Sequence, residues 1–332
     1  MEYHYPFAVC IAFVSCFAVG ALFLLWRYEG ARGAGSRRND VVADDPSVVG
    51  ILPAGRLSRA ELWSACGGAV SPNWLLLFRA LCFAYLLPVL VFNVLLKNVM
   101  VFFFYTEWTF TLLIVYFALA FRQSLLHYLE TRSAAAHPES AVGLLNEDLE
   151  AVSDGGGVGK GVSDDCDSAP SLPFARGREV QEGAGVAGYV TQCVFQTVLP
   201  AAILTDLVYW GLLVPIFLPA NFHHSFIDIN MHAVNLVLLA LEFCLNSLRF
   251  PWFRISYFIL WSSAYCFLQW SLFSSGITRF WPYPFMNVDT PYAPAWYFSI
   301  IVFHGICYAI CLLLALGKQS IWSRFNLPVV GK

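Results

Sequence analysis

Seven stretches of this chain are long and apolar enough to reach across a bilayer, and they leave little room for any other kind of fold. They run near 6–26, 74–96, 107–126, 190–218, 228–248, 252–273 and 295–317, and a helix needs about 20 mostly apolar residues to cross the hydrocarbon. Charge is correspondingly scarce. Asp, Glu, Lys and Arg make up 12% of the 332 residues and hydrophobic residues 58%, against about 25% and 45–50% in ordinary soluble domains. A surface that faces water needs charge and one that faces lipid does not. The sequence therefore predicts an all-α, polytopic integral membrane bundle of about seven transmembrane helices, with membrane lipids as its solvent.

The first stretch has no Lys or Arg before it and is longer than the 7–15 residue core of a signal peptide, so 1–26 reads as a retained transmembrane anchor. The distribution of positive charge sets an orientation. With the N-terminus outside or lumenal, all of the 19 Lys and Arg except Lys97, Arg279 and the intrahelical Arg79 fall on the cytosolic side, as the positive-inside rule expects. The connections at 27–73 and 128–187 and the tail at 319–332 are then cytosolic. Segment 128–187 is rich in Ser, Gly, Asp and Glu and poor in large apolar groups, a composition that reads as a disordered loop. Its Gly155–Gly161 run lacks the spacing and the preceding strand of a phosphate-binding loop. Within 27–73, Leu57 to Val70 reads as a short amphipathic surface helix. No terminal motif distinguishes plasma membrane from endomembrane.

A net charge of -3 with dispersed basic residues offers no footprint for nucleic acid. Of the 10 cysteines, all but Cys66 and Cys166 lie inside apolar runs and no CxxC pair occurs, so they read as small buried hydrophobes, and neither a metal nor a cofactor is expected.

Ionisable groups inside a bilayer are costly, and each needs a reason. Arg79 and Glu242 lie at similar depths from the same ends of their stretches and read as a structural intramembrane pair. Asp206 sits deeper and reads as an interhelical hydrogen-bonding group or a proton relay. Thr106 and His232 fall at the same, outer end of the bundle. A hydroxyl beside an imidazole is the minimal nucleophile and base, while capping and packing are the ordinary roles of such residues. His304 in the last stretch and the loop pair His223 and His224 are rival imidazoles. Trp281, Pro282, Tyr283 and Pro284 form an aromatic stretch able to roof such a site. By depth, the Tyr283 hydroxyl and the Asn230 amide are its substrate-binding groups.

Three strings carry a family resemblance: FFYTEWTFTLLIVYF, INMHAVNLVLLALEF and GITRFWPYPFMN, in that order. Together they resemble the superfamily that joins the animal rolling stone proteins to the androgen-induced transmembrane hydrolases, and the YTEWTFTL form most resembles an uncharacterised plant branch of multi-span proteins. The resemblance covers roughly 74–318 apart from the loop, and implies a six-span core there, with the first span an addition. In the androgen-induced relatives a threonine and a histidine hydrolyse fatty-acid esters of hydroxy fatty acids. That implies Thr106 and His232 as the catalytic pair here, and an amphiphilic ester as substrate. Glu107 departs from the apolar residue those hydrolases carry, and Glu107-Trp108 is nearer the rolling stone pattern, which implies a non-enzymatic membrane organiser or receptor-like protein with cytosolic partners. Transport is the third class, and it requires a polar path joining Thr106, His232 and Asp206 to the level of Arg79 and Glu242; no inverted repeat supports it.

Overall fold

The computed structural model describes residues 4–29, 57–136 and 184–325. Seven long helices account for most of them: α1 (His4–Glu29), α2 (Pro72–Lys97), α3 (Tyr105–Ala136), α4 (Gly185–Val208, continued by π-helical turns over Tyr209–Phe217), α5 (Phe226–Leu245), α6 (Ile255–Ser274) and α7 (Ala293–Arg324). No strand occurs among the described residues. Six of the seven are long and apolar enough to cross a membrane, all but α6. The chain is thus an all-α, multi-pass integral membrane protein. Helix α6 has 20 residues, roughly the 30 Å of a hydrocarbon core at 1.5 Å per residue, and its apolarity is diluted by polar residues, of which Ser256, Ser263 and Gln269 are buried in the bundle.

Local chemistry sets the ends. The Ser71 hydroxyl caps α2 by accepting from the Asn73 N–H, and Pro72 fills the first turn, where no donor is needed. Asn98, at φ 62°, stops it. Ser225 and Asp228 form a reciprocal capping box at the start of α5.

Helix α4 is the centre of the bundle. In its most apolar window 61% of residues are buried, against 17% in α1, which lies at the periphery against α6 and α7. Aromatic contacts tie α3 to its neighbours: Phe117 packs on Phe78 of α2, Tyr116 on Phe195 of α4, and Trp108 on Trp261 of α6. Large apolar side chains such as Phe23, Leu81, Leu95, Leu313 and Leu314 point outward, as lipid-facing residues do.

The connections differ from expectation in three places. Residues 57–71 form two short 3-10 turns, Arg59–Leu62 and Cys66–Gly68, folded onto the bundle instead of an amphipathic surface helix. Polar anchoring decides this. The Glu61 carboxylate accepts from Arg249 at 2.6 Å, Ser247 donates to the Ser64 carbonyl at 3.1 Å, and Gly67, in the left-handed region at φ 67°, donates its N–H to Ser247 at 3.0 Å. Burial pushes the Glu61 carboxyl up from its usual range, with Arg249 opposing. Gly188 of α4 permits the close approach, since a Cβ there would lie 2.5 Å from Leu62. Helix α3 extends to Ala136 and α4 begins at Gly185, so both trim the connection read as 128–187; residues 137–183, with the Gly155–Gly161 run, lie outside the described residues. Helix α7 likewise carries on into the tail, to Arg324.

Two compact units are distinguished, Met1–Ser124 with Gly183–Lys332, and Leu125–Glu182. Of the second, residues 125–136 are described: a helical stretch in which the Arg132 guanidinium lies 5.7 Å from the Tyr128 ring and Thr131 donates to the His127 carbonyl.

Candidate functional site

A cavity of about 90 Å³ opens at the end of the bundle where α3 begins and α5 starts. Both Thr106 and His232 line it, with Thr205, Ser262, Tyr283 and His304 as the other polar side chains among Tyr, Leu, Phe, Met and Trp neighbours. An apolar pocket with a few convergent polar groups is the ordinary form of a small-molecule site.

Thr106 lies in the first turn of α3. Its N–H donates to the Tyr283 oxygen at 3.3 Å, and the Thr106 and Tyr283 hydroxyls lie 3.3 Å apart. Tyr283 belongs to the aromatic stretch before α7, and Phe285 and Met286 from the same stretch line the cavity too. Burial raises the Tyr283 phenol above its usual range, so it keeps its proton and remains a donor.

His232 sits in π-helical turns over Asn230–Val234. Such turns occur often at functional sites because they re-aim a side chain relative to a regular helix. Trp210 donates its indole N–H to the His232 carbonyl at 2.5 Å, and the imidazole stacks on Tyr209 at 3.7 Å with 2° between planes. Both aromatics come from the π-helical turns that continue α4, so two irregular segments brace one another around this residue. Nδ1 of His232 lies 3.7 Å from Asp206 Oδ1, too long for a hydrogen bond but within reach of a small ring rotation. Asp206 accepts from Asn235 at 3.2 Å, while its Oδ2 and His232 Nδ1 have no hydrogen-bond partner among the described residues. A carboxylate thus stands next to the imidazole; the sequence placed Asp206 in its helix but not beside His232.

Asn230 is not part of this cavity. Its side chain accepts from the Tyr85 hydroxyl at 2.5 Å and donates to the Phe226 carbonyl at 2.9 Å. Depth along α5 placed it near His232, but residues two apart stand on roughly opposite sides of a helix.

His304, the rival imidazole, lines the same cavity. His224 bonds the Tyr209 hydroxyl at 3.0 Å, bracing the site from outside. Glu107, one residue after Thr106, is buried against Asn93, which donates to it at 2.5 Å.

Arg79 and Glu242 form a separate cluster. Arg79 Nη2 lies 2.7 Å from Glu242 Oε1, and the guanidinium also donates to the Leu62 and Ala120 carbonyls and to Ser124. The Tyr116 hydroxyl completes the carboxylate at 2.6 Å. Along α5 Glu242 lies about 15 Å from His232. Between the two levels α4 runs through the buried Val198, Leu199, Ala201, Ala202, Ile203 and Leu204, and α5 through the buried Leu239, so along these two helices an apolar layer separates them. Among the described residues no group of three or more His, Cys, Asp or Glu is placed to hold a metal ion.

Comparison with known proteins returned no matching family model, no matching curated protein and no matching solved structure.

Proposed function

We propose that this chain is an intramembrane hydrolase of lipid esters, with Thr106 as nucleophile, His232 as its base and Asp206 as the group that orients the base. One observation carries the reading: Thr106 and His232, from different helices, line a single apolar cavity, and a carboxylate stands behind the imidazole. The family resemblance carried by the strings around these two residues supports the same chemistry. In this orientation the N-terminus is outside or lumenal and the C-terminus cytosolic.

An amphiphilic ester enters from the lipid and lays its carbonyl against Thr106. The hydroxyl oxygen attacks the carbonyl carbon, its proton passes to His232, and the alcohol leaves with that proton to give an acyl-threonine. Water then attacks the acyl carbon, its proton passing through His232 back to Thr106 as the acid is released. Tyr283, whose oxygen lies 3.3 Å from both the Thr106 N–H and the Thr106 hydroxyl, holds the nucleophile in place.

The test is labelling of the membrane-expressed protein with a fluorophosphonate, with the adduct located by mass spectrometry. An adduct on Thr106 that is lost in His232→Ala supports the assignment. A protein that labels at no residue is no hydrolase of this kind, and the organiser reading then stands in its place.

A further inference from the structure

The cavity wall formed by α6 and α7 holds a second hydroxyl and imidazole in direct contact. Ser262 Oγ of α6 lies 2.7 Å from His304 Nε2 of α7, and His304 Nδ1 lies 2.7 Å from the Ile300 carbonyl. A carbonyl only accepts, so Nδ1 carries the hydrogen. In the neutral ring Nε2 is then the acceptor, and the Ser262 hydroxyl donates to it. The Tyr105 hydroxyl, 2.7 Å from Ser262 Oγ, has its proton free to donate to that oxygen. This leaves one lone pair on Ser262 Oγ unused. Phe258 packs on the His304 ring at 4.5 Å and fixes its plane.

The surroundings distinguish this from a network that only satisfies buried polar groups. Such a network needs no open space beside it, yet Ser262 and His304 form part of the wall between two hollows. One is the cavity already described. The other is an apolar groove of about 120 Å³ between α1, α6 and α7, lined by Val14 and Phe17 of α1, by Ile259 of α6 and by Ile301 and Gly305 of α7. Ser262, Cys266, Tyr297, Ile300 and His304 line both.

We propose that Ser262 and His304 form a second nucleophile and base pair, which takes the acyl group of a lipid ester whose chain lies in the groove beneath α1. It rests on the reading of the cavity as an ester-processing site. Ser262 Oγ bonds to the acyl carbon while its proton moves to His304 Nε2; the carbon–oxygen bond to the alcohol breaks, and the alkoxide takes that proton. Water returns the enzyme by the same path, its proton going to His304 Nε2 and then to Ser262 as the acid departs. Helix α1, which the resemblance leaves outside the six-span core, becomes part of a binding site.

The experiment uses the full chain in membranes and a long-chain alkyl fluorophosphonate, whose fluoride leaves as the serine oxygen bonds phosphorus. Each adduct is mapped to its residue. The expected result is phosphonylated Ser262, reduced at least tenfold in His304→Gln and unchanged in Thr106→Ala. Gly305→Leu sharpens the groove claim: a Cβ at Gly305 meets nothing within 4 Å and Gly305 lines the groove, so the added side chain should narrow it and lower Ser262 labelling severalfold while the Thr106 adduct persists. An unmodified Ser262 beside a modified Thr106 overturns the second pair and leaves the first. Neither residue modified overturns both, and a Ser262 adduct at full yield in His304→Gln removes the base.

Discussion

Two of the polar clusters of the bundle are opposites in how completely their groups are bonded. At the Arg79 end, Glu242 receives Arg79 on both oxygens and Tyr116 on one, and Arg79 has further acceptors in Leu62, Ala120 and Ser124. At the Thr106 end, Asp206, His232, Glu107 and Asn93 each keep a buried atom without a partner among the described residues, and the Thr106 contacts are long. A saturated network rigidifies, while groups left short of partners are held at a cost and mark places where something else binds. The first cluster bonds as a joint does, and the second is where we propose the site.

Substitutions should separate them, and the largest effect belongs to the joint. Arg79→Ala leaves Glu242 buried without its counter-ion and should cost about 3–5 kcal/mol, read as a large fall in the thermal midpoint of the detergent-solubilised protein. Arg79→Met with Glu242→Leu should recover much of that loss; a double variant no better than the single would mean that the pair is not the origin of the effect. At the site the pattern should reverse. His232→Ala should reduce the Thr106 adduct on the order of 100-fold or more with a midpoint close to wild type, and a collapse in stability instead would make His232 another joint. Asp206→Asn removes only the orienting charge and should slow Thr106 labelling about tenfold, the equivalent of one charge-assisted hydrogen bond. Tyr283→Phe should have the smallest effect, a few-fold slower labelling, because two bonds of 3.3 Å contribute under about 1 kcal/mol. A Tyr283→Phe effect as large as that of His232→Ala would instead place the phenol at the reacting atoms.

The helices were legible because lipid imposes a length and a composition that few other constraints mimic. Positions along a helix were legible for the same reason, which is how Arg79 and Glu242 were matched by depth. Rotation about the helix axis was not. Asn230 shared the depth of His232 and faces elsewhere, and His232, beside Asp206, sits in π-helical turns at 230–234 braced by those at 209–217, which no hydropathy pattern announces. Their nearest signals were Pro215 and the three polar residues Asn230, His232 and Asn235 set among apolar ones. The contact of Ser262 with His304 left even less trace, since serine is common on helices and the two residues stand 42 apart on separate ones. The docking of 57–71 onto the bundle as 3-10 turns, where a surface helix was expected, was not legible because its anchors, Arg249 and Ser247, lie far along the chain.

The apolar layer between the two clusters has an electrical consequence. Along α4 and α5 it is an insulator: an elementary charge carried from the Asp206 level to the Glu242 level would have to enter hydrocarbon with nothing to solvate it. Reconstituted in a planar bilayer, the protein should therefore pass no proton current by way of the α4 and α5 layer.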